Sequence, residues 1–362
     1  MNGNNLENEK TKREFVNYLK EVEGASETTI DSYIRAVNRY EECSNFQDFR
    51  KFNKNSAIIF KNHIRDLKWN GVPISPLTVR TYFIHVHKFF KWLMFQSGYK
   101  SHIKINDINY LKPSNFEEKQ ATKIRIKDHP NLEYVKKICN SITGSSEIDL
   151  RDKALISFLF LTPIRVEAAI SLPLGCIDEE NLTVYQDPLK KVRTKSSKFI
   201  VSMVLPFEGT LVSNIRFWLK LLRTKAFEET DPLFPKGQTE FETKAIAYKE
   251  SSSISKEFWA NSNPVRNMLR RRSENAGLQY YSPHKFRDGT LKHALNFVQD
   301  GIQMKCISQL FGHEHISTSM LNYGNLDNTD LVNTVNEMNF KDTPISNYQI
   351  LSEIRRIFAE KK

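Results

Sequence analysis

The residues best suited to chemistry fall in four short segments between residues 162 and 323. Arg165 closes Thr162-Pro163-Ile164-Arg165, behind an apolar run from Leu155 to Leu161. A proline stops a regular helix and holds a turn, so the arginine that follows it is held rigidly. Lys195-Ser196-Ser197-Lys198 places cations between two strand-like arms. His284 and Arg287, within Ser282-Pro283-His284-Lys285-Phe286-Arg287, are three apart, which puts both on one face of a helical turn. The last segment runs from Leu310-Phe311-Gly312-His313 through His315 to Tyr323. An arginine is a permanent cation whose fork of donors matches two oxygens of an anion, and an imidazole exchanges protons near neutral pH. Taken singly, Arg165 could equally cap helix carbonyls and the basic tip could be a solvated hairpin. The order of the segments carries more weight than any one of them.

The elements that must position these residues are mostly helical. From Thr29 to Glu42, Ile30, Tyr33, Ile34, Val37 and Tyr40 recur at helical spacing. A second helix opens at Ser75 as N-cap with Pro76 in its first position, carries the stripe Val79, Phe83, Val86, Phe90, Leu93, and is closed by Gly98. Arg80, His87, Lys88 and Lys91 lie off that stripe, as a solvated face or as a face for a DNA backbone. With Phe15, Leu19, Val22 and the 56–66 segment, residues 1–112 read as a small domain of four helices. Residues 113–128 are polar and charged with no apolar periodicity, a connector between domains. Beyond it, Leu155 to Leu161 reads as a fully buried helix. Leu182, Val184 and Tyr185 and then Phe199 to Leu205 read as the two arms of a hairpin. Pro264 to Ala276 reads as a basic helix with Arg266, Arg270, Arg271 and Arg272, closed by Gly277.

Composition narrows the class. In 362 residues, 40% are hydrophobic and 26% charged, enough apolar material for real cores and too much for wholesale disorder. The formal charge of +11 excludes an acidic solvating protein and makes nucleic acid a candidate partner, because Lys and Arg release counterions from phosphates. No apolar run approaches the roughly 20 residues of a membrane span, and the N-terminus lacks a signal-peptide pattern, so a cytoplasmic protein is expected. Cys43, Cys139, Cys176 and Cys306 are scattered without metal-like spacing and read as reduced structural thiols.

The ordered set of arginine turn, cationic hairpin, His-x-x-Arg, Gly-His and tyrosine resembles the tyrosine recombinases of the phage integrase family. The likeness covers nearly the whole chain. Thr162 to Arg165 followed by Ile170-Ser171-Leu172 and Ile177-Asp178 resembles the family's first arginine box, Ser282 to Arg287 its His-x-x-Arg box, and Leu310 to His313 with Tyr323 its third histidine and nucleophile. Ser75 to Gly98 is similar to a helix of its core-binding domain. The resemblance implies a mainly α protein, with a helical core-binding domain at 1–112, a linker at 113–128, and a mixed α+β catalytic domain with a small antiparallel sheet at 129–335. It further implies a tail at 336–362, patterned by Ile350, Leu351, Ile354 and Ile357, that docks on a neighbouring protomer.

The implied activity is site-specific DNA recombination or integration, serving a mobile element, through a 3′-phosphotyrosyl intermediate. Arg165 and Arg287 would hold the non-bridging phosphate oxygens, His284 and His313 would donate hydrogen bonds or move protons, Lys195 would protonate the leaving 5′ oxygen, and Tyr323 would attack. Lys190, Lys191 and Lys198 compete with Lys195, which is chosen for its place before the tip. Double-stranded DNA and further copies of the chain, as a tetramer on paired sites, are the implied partners, with accessory DNA-binding proteins. No cofactor, metal or membrane is expected. His284, His293, His313 and His315 lack a ligand spacing with nearby carboxylates. His293 and His315 read as surface or packing residues, as do Tyr280 and Tyr281. A non-catalytic DNA-binding relative and a type IB topoisomerase-like enzyme are the competing readings.

Overall fold

The computed structural model describes residues 5–123, 128–242, 247–298 and 301–312. His313, His315, Tyr323 and the tail at 336–362 lie outside the described residues, as do 124–127 of the expected linker. Two units emerge, Met1–Ile124 and Arg125–Lys362.

In the first unit α1 (Leu6–Glu21), α2 (Glu27–Cys43) and α3 (Lys54–Arg65) start at Asn5, Ser26 and Asn53, whose side chains accept from first-turn N–H groups. A small hairpin, β1 (Lys68–Trp69) and β2 (Val72–Pro73), leads into α4 (Pro76–Leu93), capped by Ser75 with Pro76 in the first turn as expected. Its predicted stripe is buried, together with Phe89. The helix stops at Met94, short of Gly98, which takes φ +80° in the turn that follows. Aromatic rings fill the core: Phe89 meets Phe15 at 5.1 Å and Phe49 at 4.9 Å, edge to face.

Two more helices, α5 (Ile105–Ile108) and α6 (Asn115–Thr122), add to the four expected. Residues 115–122 of the polar run read as connector are thus helical. Ser114 and Glu117 form a reciprocal capping box, and Glu117 and Glu118 pair with Arg65 at 2.9 Å and Arg80 at 2.5 Å. A helix bound through charges leaves no apolar periodicity to read. Arg80, and Lys88 in its pair with Glu23, are spent within this unit, so the basic face of α4 is partly neutralised.

The second unit opens with α7 (Leu132–Ser141) and α8 (Glu147–Leu161). From Ala154 to Leu161 every residue of α8 is buried, as the sequence predicts. After α9 (Val166–Ala169) come β3 (Ile177–Asp178), β4 (Thr183–Gln186) and β5 (Ile200–Met203), an antiparallel sheet in that order. The two predicted arms pair with Tyr185 opposite Val201. Then follow α10 (Gly209–Thr224), a hairpin of β6 (Gly237–Glu242) and β7 (Ala247–Ile254), α11 (Asn263–Asn275), α12 (Pro283–Leu295) and α13 (Gly301–Leu310). Among the described residues, no helix is long and apolar enough to cross a membrane, and the four cysteines are free thiols.

α8 is the post around which the unit is built, with α7, α10 and α12 against it. The basic α11 is not simply a solvated face. Arg272 reaches Asp149 at 2.6 Å and Asp152 at 2.8 Å, and buried Arg151 also bonds Asp152 at 2.8 Å. On α12, Thr290 Oγ1 donates to Phe160 O at 2.7 Å. A methyl group on neighbouring Gly289 would come within 2.3 Å of Pro130 O. Backbone cannot retreat as a side chain can, so Gly289→Ala should lower stability by about 1–3 kcal/mol, read from the urea midpoint at unchanged slope.

Candidate active site

α8 ends where Pro163 removes a backbone donor, and Thr162 turns extended (φ −114°, ψ 128°). Ile164 is buried, which pins the turn, and Arg165 becomes the N-cap of α9 with its side chain half-buried. Arg287 comes to the same turn from α12. It is buried, and its guanidinium donates to Pro163 O and Phe311 O. Phe311 follows α13, whose end is also held by Ser202 Oγ of β5, donating to Leu310 O at 2.8 Å. One side chain thus joins the segments containing Arg165, the His-x-x-Arg box and Phe311-Gly312, the residues just before His313.

The electrostatics are those of an anion site. Burial pushes the Arg165 guanidinium below its ordinary value. Burial, and then the like charge of Arg165, push Arg287 down to about 9, partly offset by Asp288. Both are cations at neutral pH. Among the described residues no carboxylate is paired with Arg165, and Glu167, two positions on, is turned instead toward Ser262 N at 3.2 Å and Arg193 at 3.6 Å. Two neighbouring guanidinium groups with so little compensation are relieved by a doubly coordinating anion. Sulfate should therefore raise the melting temperature of the protein more than chloride at equal ionic strength. That excess should shrink in Arg165→Gln, which separates site binding from the general salting effect of sulfate.

The remaining predicted residues are distributed around this pair. His284 is in the first turn of α12, 70% exposed, with Nε2 3.8 Å from Asp288 Oδ1 one turn on. Arg287 is buried, so the two residues of the box part company in exposure although they share a helix. Lys195 is exposed in the stretch joining β4 to β5, which is no tight tip but a thirteen-residue connection with two 3-10 turns, Pro188–Lys190 and Lys195–Ser197. Of its competitors, Lys190 donates to Gly175 O at 3.5 Å. His313 and Tyr323 fall outside the described residues. Among those residues no group of His, Cys, Asp or Glu side chains gathers as metal ligands.

His293 packs as expected, 4.6 Å from the Phe207 ring. Tyr281 donates to Asp128 at 2.6 Å, and Tyr280 lies under Arg270. Sequence reasoning left two supports without a role, although it quoted Gly312 in the Gly-His segment. Gly312 has φ +61°, and a methyl there would meet Ile200 at 2.7 Å, so only glycine suits the turn before His313. Its place after an apolar helix was a legible signal. Asp288, whose Oδ2 is buried and has no hydrogen-bond partner among the described residues, carried none.

Residues 130–329, more than half the chain, match the phage integrase family. The tyrosine recombinase XerD of Listeria monocytogenes serovar 1/2a is 22% identical over 314 residues, covering 85% of this chain and 91% of that one. The tyrosine recombinase XerC of Corynebacterium glutamicum is 24% identical over 200 residues, and the match spans 55% of this chain and about half (54%) of that relative. The fold is similar to the crystal structure of XerH site-specific recombinase bound to palindromic difH substrate in a post-cleavage complex. The TM-score is 0.61 at 17% identity, covering 90% of this chain and 84% of the other. The family match over residues 130–329 shows that the chain belongs to the phage integrase family, the tyrosine recombinases that cut and rejoin DNA strands.

Proposed function

We propose that this protein is a site-specific DNA recombinase in which Tyr323 attacks a phosphodiester held by Arg165 and Arg287. Tyr323 Oη bonds to phosphorus as the bond to the 5′ oxygen breaks, leaving a 3′-phosphotyrosyl link. The departing oxygen takes its proton from Lys195, and the phenol gives its own proton to a base or to water as it attacks. His284 and His313 donate to the phosphate or relay protons. A 5′ hydroxyl from another strand then reverses these steps. The bond energy stays in the phosphotyrosine, so rejoining draws on no ATP.

The observation that carries this reading is the adjacency of two buried or half-buried guanidinium groups with no carboxylate on Arg165 among the described residues. Such a pair stabilises charge that grows on phosphate oxygens in the transition state. Double-stranded DNA is the substrate, and copies of the chain on paired sites exchange strands. The helical residues 1–112 would grip the duplex beside the catalytic residues 129–335, with 113–128 linking them and 336–362 docking on the next protomer. The cytoplasm is where such a protein meets DNA.

A duplex spanning the flanks of its own gene, nicked beside the scissile position, tests the reading. Wild type should become trapped on it covalently and Tyr323→Phe should not. Binding without an adduct in either protein would leave a DNA-binding module. Relaxation of plasmid lacking the site would mark a topoisomerase.

A further inference from the structure

The connection between β4 and β5 is pegged midway, at Val192 and Arg193, and then runs exposed from Lys195 to Ser197. Val192 is buried, and Arg193 is held at both backbone and side chain. Its N–H donates to Ser171 Oγ at 2.8 Å. Its guanidinium donates to Ala260 O at 2.5 Å and Trp259 O at 3.0 Å, and lies 3.6 Å from Glu167 Oε2.

Each of these partners is itself fixed. Ser171 Oγ donates to Glu167 O at 2.7 Å, tying it to α9. Trp259 is buried, its indole donating to Phe234 O at 2.6 Å while Arg151 covers its ring at 4.8 Å. The other carboxylate oxygen of Glu167 accepts from Ser262 N at 3.2 Å. Since α9 begins directly after Arg165, one side chain bridges the segment behind a phosphate-gripping arginine and the loop bearing Lys195, two residues on.

The Arg193–Glu167 pair is more than a third exposed on both sides, so it adds little to global stability. What it restrains is local. From Lys195 to Ser197 the chain is exposed, and Ser196 and Ser197 have φ of +59° and +50°. A lysine on such a loop reaches many positions, whereas proton delivery demands one within hydrogen-bond distance of the leaving oxygen.

We propose that Arg193 is a positioning residue for strand cleavage, setting where Lys195 delivers its proton by tying the loop to α9 and to the carbonyls of Trp259 and Ala260. This rests on the strand-exchange reading in which Lys195 protonates the 5′ oxygen.

Single-turnover cleavage by the full chain on two nicked duplexes tests it, one with the ordinary 5′ oxygen at the scissile bond and one with sulfur there. Sulfur departs as a thiolate and needs no proton. Lys195→Ala and Arg193→Gln should each cut the oxygen duplex ~10²-fold more slowly and the sulfur duplex at nearly the wild-type rate. The double variant should be no slower than Lys195→Ala. Ser171→Ala, which removes the backbone tether and that serine's own bond to α9 but leaves the Arg193 guanidinium contacts, should show a smaller loss with the same sulfur rescue.

Arg193→Gln at full speed beside a slow, sulfur-rescued Lys195→Ala would overturn the inference alone. So would an Arg193→Gln that is slow on both duplexes, which marks a disturbed fold. A rescued Arg193→Gln beside a normal Lys195→Ala would move the proton donor to another lysine of the loop and overturn the assignment to Lys195. Failure of wild type to form an adduct on either duplex would instead sink the strand-exchange reading.

Discussion

Tyr323→Phe should bind its duplex as wild type does and lose covalent cleavage, by a factor on the order of 10⁶, the scale seen when a nucleophile is removed from a preorganised site. Only the hydroxyl is lost, so packing is conserved and DNA affinity serves as the control. An unperturbed phenol has a pKa near 10, so about one in a thousand is ionised at pH 7, and cations that stabilise the attacked phosphate would supply the rest of the activation. Wild-type cleavage that survives in Tyr323→Phe would move the nucleophile elsewhere. Tyr280 and Tyr281 are poor substitutes, since one lies under Arg270 and the other donates to Asp128.

Arg287→Lys should slow cleavage by about 10²–10³-fold, the cost of removing one preorganised donor to a developing oxyanion. An ammonium keeps the charge but not the planar fork, and cannot reach Pro163 O and Phe311 O together while also facing a phosphate. Single-turnover cleavage under saturating protein separates this loss from weaker binding. A fall of less than threefold would remove Arg287 from the chemistry. The same residue predicts a pH effect on stability. Its folded-state pKa, about 9, lies well below the ordinary guanidinium value. Between these two values the unfolded chain binds the extra proton, so stability rises with pH across that window. Below it the full cost of a buried cation beside Arg165 is present. Urea midpoints at pH 8 and pH 10 should therefore show a gain in wild type relative to Arg165→Gln, which lacks the repelling neighbour. An equal response in both would mean the two charges do not interact.

The sequence by itself determined what depends on neighbours along the chain. The buried stripe of α4, the fully buried end of α8, the caps at Ser75 and Pro76, and the two arms around Lys195 are all written in periods of 3.6 or 2 and in local cap chemistry. The order of the chemical segments was equally legible, because residue type and sequence position need no folded chain. Only the tertiary structure decided which groups meet. Arg287 bonds carbonyls 124 and 24 residues away, and Arg193 bonds one 67 residues away, distances over which no local pattern speaks. The run at 113–128 read as a connector because α6 is held by ion pairs to Arg65 and Arg80, and charge pairing leaves no periodic trace. Arg272 read only as one of four arginines on a basic helix, although Asp149 and Asp152 of α8 claim it. Packing brings a charge to its partner, and packing is a property of the whole chain.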